Sequence, residues 1–261
     1  NLVNDINSEV YGSRSIIHQA VRENKIDFIK KIPPMMYDAL DYSGNTPLYY
    51  AIKCENYEIA KHLIKFGDCD FCHLGKKTTP LHLAVKGRPE ILKKMLSYVN
   101  KKKYKRKFDI NVKDRNQSTP LLAPFFSDPS KSNDKRDINP LCLMMIIDNG
   151  ADITACDSKG NNILYYTFEH YFYINSDDFS KYILSQKNLT INKDGKKSLL
   201  IQLYNQRNQH LINKFHERFE IEPDLLKIVF SKCIDPNIEK PYSLLKKQGK
   251  ENDYFFECLK K

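Results

Sequence analysis

Two stretches of this chain repeat each other at a fixed distance. "GNTPLYYAIKCENYEIAKHLIKFG" begins at Gly44 and "KTTPLHLAVKGRPEILKKMLSYV" at Lys77, with Pro47 and Pro80 33 residues apart. Weaker copies are "RSIIHQAVRENKIDFIKKI" from Arg14, "DRNQSTPLLAPFF" from Asp114, "DSKGNNILYYTFEH" from Asp157 and "KDGKKSLLIQLYNQRNQHLINKF" from Lys193. Each opens on a polar turn, a small residue leads into a short apolar helix, and most add a second helix. A unit this short cannot bury its own apolar face, so neighbouring units must stack to cover it.

The residue types explain the local structure. Thr46 and Thr79 suit N-caps, because a hydroxyl oxygen can accept a bond from an orphan N–H of the first turn. Pro47 and Pro80 then sit at the first helical position, where a missing N–H costs nothing. Leu48, Ala51 and Ile52 share one helical face, as do Leu81, Ala84 and Val85, and the small alanines let adjacent helices approach closely. Ile59, Ala60, Leu63 and Ile64 form the matching stripe of a second helix. Gly67 is expected to stop that helix in the left-handed conformation. Gly44 and Gly160 are expected in turns that need positive φ.

At this period, "TPLYYAI", "TPLHLAV", "STPLL" and "SIIHQAV" resemble the T-P-L-H-x-A-A signature of the ankyrin repeat family. The resemblance covers residues 1–215. It implies an all-α solenoid of about six helix-pair units joined by β-fingers, with units near 12–40, 41–71, 72–112, 114–153, 157–192 and 193–220. Residues 216–261 would form a further degenerate repeat or capping helices, which give a solenoid its polar end. His18 and His82, at the signature histidine, would be structural.

The resemblance also implies non-enzymatic recognition of a protein through the finger tips and the exposed side of the first helices, on a concave surface. By matched position the contacts would be Tyr42, Ser43, Asn45, Lys53 and Cys54 in the second unit and Lys76, Thr78 and Lys86 in the third. Arg115, Asn116 and Ser118 follow in the fourth, Lys159, Asn161, Glu169 and His170 in the fifth, and Lys197, Asn205 and Gln206 in the last. For any one of them a merely solvated residue is the competing reading. "GNTPLYYAIKCENYEIAKHLI" and "GNNILYYTFEH", with the Lys, Asn, Ile and Tyr bias, are similar to repeats of poxvirus ankyrin host-range proteins. The same bias follows from any A+T-rich coding genome, and the tail from Ile221 shows no match to the F-box-like ending of those proteins.

The array is irregular. The third unit is one residue short between its helices ("KGRPE" against "KCENYE"), and its second helix runs into the basic insert Lys101, Lys102, Lys103, Lys105, Arg106 and Lys107, broken by Tyr104. In the fourth unit Pro124 is expected to stop the first helix, with "SDPSKSNDKRDINP" before the second. The fifth carries "YFYINSDD" in its middle. Such insertions map to surface loops, either as binding elements or as tolerated drift. The net charge of +10 favours anionic surfaces. The leading expectation is therefore a partner protein acidic at the contact. The alternative is nucleic acid or another anionic surface held by the basic insert, although no nucleic-acid reader motif is present.

"CDFCH" at residues 69–73 matches the c-type haem attachment pattern. The repeat register places it on a loop between units, without an axial ligand or apolar pocket in view, so no cofactor is expected and Cys69 and Cys72 read as half-buried finger residues. No second ligand pair stands at zinc spacing. "GKKTT" at Gly75 lacks the glycine spacing and the hydroxyl residue of a phosphate loop, and no H-E-x-x-H or G-x-S-x-G occurs, so catalysis is not expected. Seven cysteines, an odd number without a framework, predict reduced thiols in the cytoplasm or nucleus. No apolar run is long enough to span a bilayer. The chain starts at Asn1 rather than methionine, which predicts an excised or processed segment.

Overall fold

The computed structural model describes residues 16–100, 108–126, 138–169, 177–189, 191, 193–205, 209–222, 224–225 and 228–229. The basic insert 101–107, residues 127–137 of the insertion at 127–140, residues 171–176 of that at 171–178, His170, Gln206 and most of the expected cap lie outside the described residues. Two compact units divide the chain, Asn1–Gly160 and Asn161–Lys261.

In the first unit, α1 (Ile16–Arg22) and α2 (Ile26–Ile29) are followed by a 3-10 turn at Pro34–Met36. Next come α3 (Pro47–Lys53) with α4 (Tyr57–Phe66), and α5 (Pro80–Val85) with α6 (Pro89–Asn100). A 3-10 turn at Ala123–Phe125 and α7 (Pro140–Asp148) complete it. First helices pack on first helices, α1 on α3, α3 on α5, and α5 on the 3-10 turn. Second helices pack on second helices, α2 on α4, α4 on α6, and α6 on α7, so the unit is two helical rows. Leu48, Ala51, Leu81, Ala84 and Val85, together with Ile59, Leu63, Ile91 and Leu92 of the second row, are buried between them. Each buried Leu or Ile contributes roughly 1.5–3 kcal/mol relative to exposure.

In the second unit, α8 (Ile163–Glu169) packs on α9 (Asp177–Ser185) and on α10 (Lys193–Asn205), and α11 (Gln209–Arg218) packs on both α9 and α10. Phe179, Ile183, Leu199, Leu203 and Phe215 fill its interior.

Local chemistry sets the helix starts. Thr46 Oγ1 accepts from Tyr49 N at 3.2 Å and Thr79 Oγ1 from His82 N at 3.3 Å, each with proline next in the chain. Asn139 does the same for Leu141 N at 3.0 Å ahead of Pro140, and Asn162 for Leu164 N at 3.1 Å. In the fourth repeat Thr119-Pro120 opens a first helix that Pro124 holds to a 3-10 turn, since proline cannot donate to the preceding turn.

The structure corrects four expectations. Among the described residues there is no strand, and the fingers are tight turns: Asp41 N donates to Asn45 O at 3.1 Å and Asp114 N to Ser118 O at 3.0 Å. Turns this short leave no run of residues to build a ladder. Gly67 is extended rather than left-handed, with φ −96° and ψ 154°. A Cβ there would lie 2.9 Å from Leu63 O and 3.0 Å from both Cys69 Sγ and the Tyr37 ring, so the glycine is required by space. Lys197 lies inside α10 rather than in a finger, because the helix already starts at Lys193 and runs through Gly195. The expected boundary at 215/216 falls inside α11, where the Phe215 and Phe219 rings pack with centroids 4.8 Å apart and carry the unit on to the buried Ile221.

Candidate interaction surface

Three fingers share one turn. In "DYSGN", "DRNQS" and "DSKGN" the leading aspartate accepts from the N–H two residues on, Asp41 from Ser43 at 2.9 Å, Asp114 from Asn116 at 2.8 Å and Asp157 from Lys159 at 2.8 Å. In the first two, the same oxygen also takes the N–H four residues on, Asn45 at 2.8 Å and Ser118 at 3.0 Å. The fourth residue of each turn is left-handed: Gly44 at φ +68°, Gln117 at +59° and Gly160 at +79°. Glycine supplies that conformation without steric cost, and Gln117 adopts it with strain.

The first two of these turns are tied back to the repeat before them. His18 Nε2 lies 3.0 Å from Asn45 O, and His82 Nε2 lies 2.9 Å from Ser118 O. A carbonyl only accepts, so His82 Nε2 carries the proton, and Nδ1 accepts from the Thr79 hydroxyl at 2.8 Å. Burial depresses the His82 pKa, as does the Lys86 charge, against the opposing pull of Ser118 O and Asp114, which keeps the ring neutral. Asp41 is anchored further by the Tyr50 hydroxyl, which donates to its second oxygen at 2.7 Å. Burial alone would raise the Asp41 carboxyl. The bonds from Tyr50, Asn45 and Ser43 and the nearby His18 outweigh it and hold the group below the ordinary carboxylate value.

This scaffold sorts the expected contact residues. Tyr42 is 70% exposed at its finger tip, and Lys76, Arg115, Asn116 and Lys159 are exposed on theirs. Lys53 and Cys54 are exposed at the end of α3, with the Lys53 ammonium 5.5 Å from the Tyr49 ring centre. Ser43, Thr78 and Asn161 are half-buried, as is Lys197 on α10. Glu169 ends α8 and Asn205 ends α10. Asn45 and Ser118 are revised: at 5% and 2% exposed, they hold their turns, and a partner could not reach them without opening the finger. Lys86 is half-buried, its ammonium donating to Phe126 O at 3.0 Å. Leu40 and Leu74, absent from the sequence-based set, stand 52% and 41% exposed on the second and third fingers. Apolar residues in otherwise polar turns were the signal that could have marked them.

The three side chains of "CDFCH" are turned to different partners. Cys69 is fully buried rather than half-buried, its Sγ 3.4 Å from Leu63 O, while Cys72 Sγ donates to Asp109 O at 3.3 Å and His73 Nε2 lies 2.9 Å from Gly44 O. Burial, with Asp70 and Asp109 adding to it against the Asp109 carbonyl bond, pushes the Cys72 thiol up to about 11, far from a reactive thiolate. Instead the motif pins the third finger to the second, where Lys76 N also donates to Asn45 Oδ1 at 3.4 Å. Among the described residues no group of three or more His, Cys, Asp and Glu could hold a metal ion, and no helix is long and apolar enough to cross a membrane.

Residues 17–114 match the family model for ankyrin repeats in three copies. The chain is 33% identical over 85 residues, 31% of its length, to the transient receptor potential cation channel subfamily A member 1 homolog of Caenorhabditis elegans, covering 7% of that protein. It is 29% identical over 112 residues, 41% of its length, to transient receptor potential cation channel subfamily A member 1 of Homo sapiens, covering 9% of that protein. The chain therefore spans less than a tenth of either relative.

Proposed function

Residues 17–114 are ankyrin repeats, and from that premise we propose that the chain is a non-enzymatic protein-interaction module whose partner is acidic at the contact. Ankyrin repeats generally mediate protein–protein interaction. The observation that carries the reading here is the repeated aspartate-anchored turn, which fixes each finger backbone while leaving Tyr42, Arg115, Asn116 and Lys159 exposed at its tip. Preorganised fingers lose little entropy on binding. Exposed cations on two of them, with the chain's net charge of +10, favour an anionic counterpart. The pairings of α8 with α9 and α10 with α11 support reading 157–192 and 193–220 as two further units beyond the matched three and the fourth at 114–153, six in all. The channel activity in the relatives' names forms no part of the proposal.

The alternative, nucleic acid or another anionic surface held by the basic insert 101–107, rests on charge alone. A photo-crosslinking residue at position 42, 115 or 159, with a control at the exposed Glu23, separates the two. One discrete protein adduct shared by the finger positions and absent from the control is expected. It should persist after nuclease treatment and weaken with salt. Adducts to nucleic acid that vanish when residues 101–107 are charge-reversed would establish the alternative. The same products at the control as at the fingers would remove the finger surface altogether.

A further inference from the structure

The row of second helices carries a feature that the finger surface does not use. Between α2, α4 and α6 lies an open groove of about 370 Å³, with Lys30 at the end of α2, Lys61 and Lys65 on α4, and Lys94 on α6 at its walls. Glu58 is the one carboxylate of the lining. Phe66, 51% exposed, and Ile26 provide apolar surface beside the ammonium groups. The charge pairs around the groove are weak and exchangeable. Lys61 meets Glu58 at 3.1 Å and Lys30 meets Asp27 at 3.5 Å, both pairs largely in water, where such contacts contribute little. The cationic field is felt at His62: burial first, and then the charges of Lys30 and Lys65, depress its pKa. Its ring is held 2.9 Å from the Tyr37 hydroxyl and packs against Phe66 with centroids 4.7 Å apart.

Resting on the protein-binding reading above, we propose that this groove is a second docking surface, which takes an acidic segment of a protein partner, its carboxylates among Lys30, Lys61, Lys65 and Lys94 and an aliphatic side chain on Phe66. Charge complementarity selects an anion, since four ammonium groups face a single lining carboxylate. The size and the exposed ring select a segment over a simple ion, because an inorganic anion would leave Phe66 and Ile26 uncovered. Stacked bases fit less well. The Lys65 ammonium 4.7 Å from the Phe66 ring centre and the tilted His62 take up part of the ring, and the 51% that stays exposed suits a small aliphatic side chain better than a flat base, which needs an unobstructed face.

The test uses the full chain and a short fluorescein-labelled peptide alternating glutamate and leucine, with a glutamine–leucine peptide and oligouridine as comparators. The glutamate peptide should bind with an affinity that falls as salt rises. Lys61→Glu with Lys65→Glu should weaken it by about tenfold or more. Phe66→Ala should weaken it by a smaller factor, and Tyr42→Ala with Arg115→Ala should leave it unchanged. Lys61→Gln with Lys65→Gln serves as the milder pair if charge reversal lowers the melting temperature. Equal binding by wild type and both lysine pairs would overturn the groove, as would equal affinity for the glutamine peptide or tighter binding of oligouridine. If peptide binding falls only in the Tyr42 and Arg115 variant, the groove is wrong while the finger surface stands. Loss of the finger crosslinks with peptide binding intact would show the reverse.

Discussion

Asp41, Asp114 and Asp157 each accept the N–H two residues ahead, and Asp41 and Asp114 also the one four ahead, because a carboxylate oxygen has lone pairs enough to take both while leaving the turn's own backbone bonds free. Gly67 is a different kind of requirement. Its dihedrals are open to any residue, and what excludes a side chain is the carbonyl of Leu63, the Cys69 sulfur and the Tyr37 ring. Gly67→Ala is therefore expected to destabilise the protein by about 1–3 kcal/mol, the range for forcing an extra methyl into a packed site. Gly67→Asn discriminates the cause. A left-handed stop tolerates asparagine better than alanine, whereas a crowded site tolerates it worse. Urea denaturation of the two variants should rank Asn below Ala, and the opposite order would mean the left-handed reading was right after all.

At the scale of helices, the stack depends on small residues where the first helices meet. Ala51 and Ala84 are fully buried in a row in which α3 packs on both α1 and α5. Ala51→Leu should lower stability by about 1–3 kcal/mol by pushing α3 off its neighbours. Lys53→Leu, two residues on and exposed, should leave the melting temperature nearly unchanged. A melting temperature equally insensitive to both would mean that α3 is not wedged between helices. The repeat elements were legible because their causes are local. Thr46 and Thr79 cap the next turn, Pro124 stops its own helix, and the alanines follow the helical period. Lys197 was misplaced because Asp194-Gly195 has the look of a turn, while packing of α10 against α8 and α11 carries the helix through the glycine. Asn45 and Ser118 sat at matched finger positions, yet nothing in the sequence says that the fifth residue of the turn faces a histidine two helices away. The basic groove was illegible for the same reason: Lys30, Lys61, Lys65 and Lys94 meet only once three second helices are laid side by side.

Over the whole molecule, buried neutral histidines couple folding to pH. His82 belongs to the first compact unit and His216 to the second, so both contribute to the response. Burial lowers His216 to about 4, and the ring stays 3.0 Å from the Tyr204 hydroxyl. His82 is lowered as well, by its own burial first. In an unfolded chain both rings would titrate near about 6.5. Between that value and the folded pKa, the unfolded state binds more protons than the folded one, so stability rises with pH across the window and falls as acid is added. For His216 the window runs from about 6.5 down to about 4, with a slope of at most about 1.4 kcal/mol per pH unit. The melting temperature should thus drop as pH is lowered through this range. His216→Gln, which keeps a polar partner for Tyr204 and cannot titrate, should flatten the slope without abolishing it, because His82 still titrates on unfolding. Thermal melts of both proteins from pH 7 to pH 4 decide the matter. Parallel curves would show that His216 is solvated enough in the folded state to keep an ordinary pKa, and would locate the acid sensitivity elsewhere.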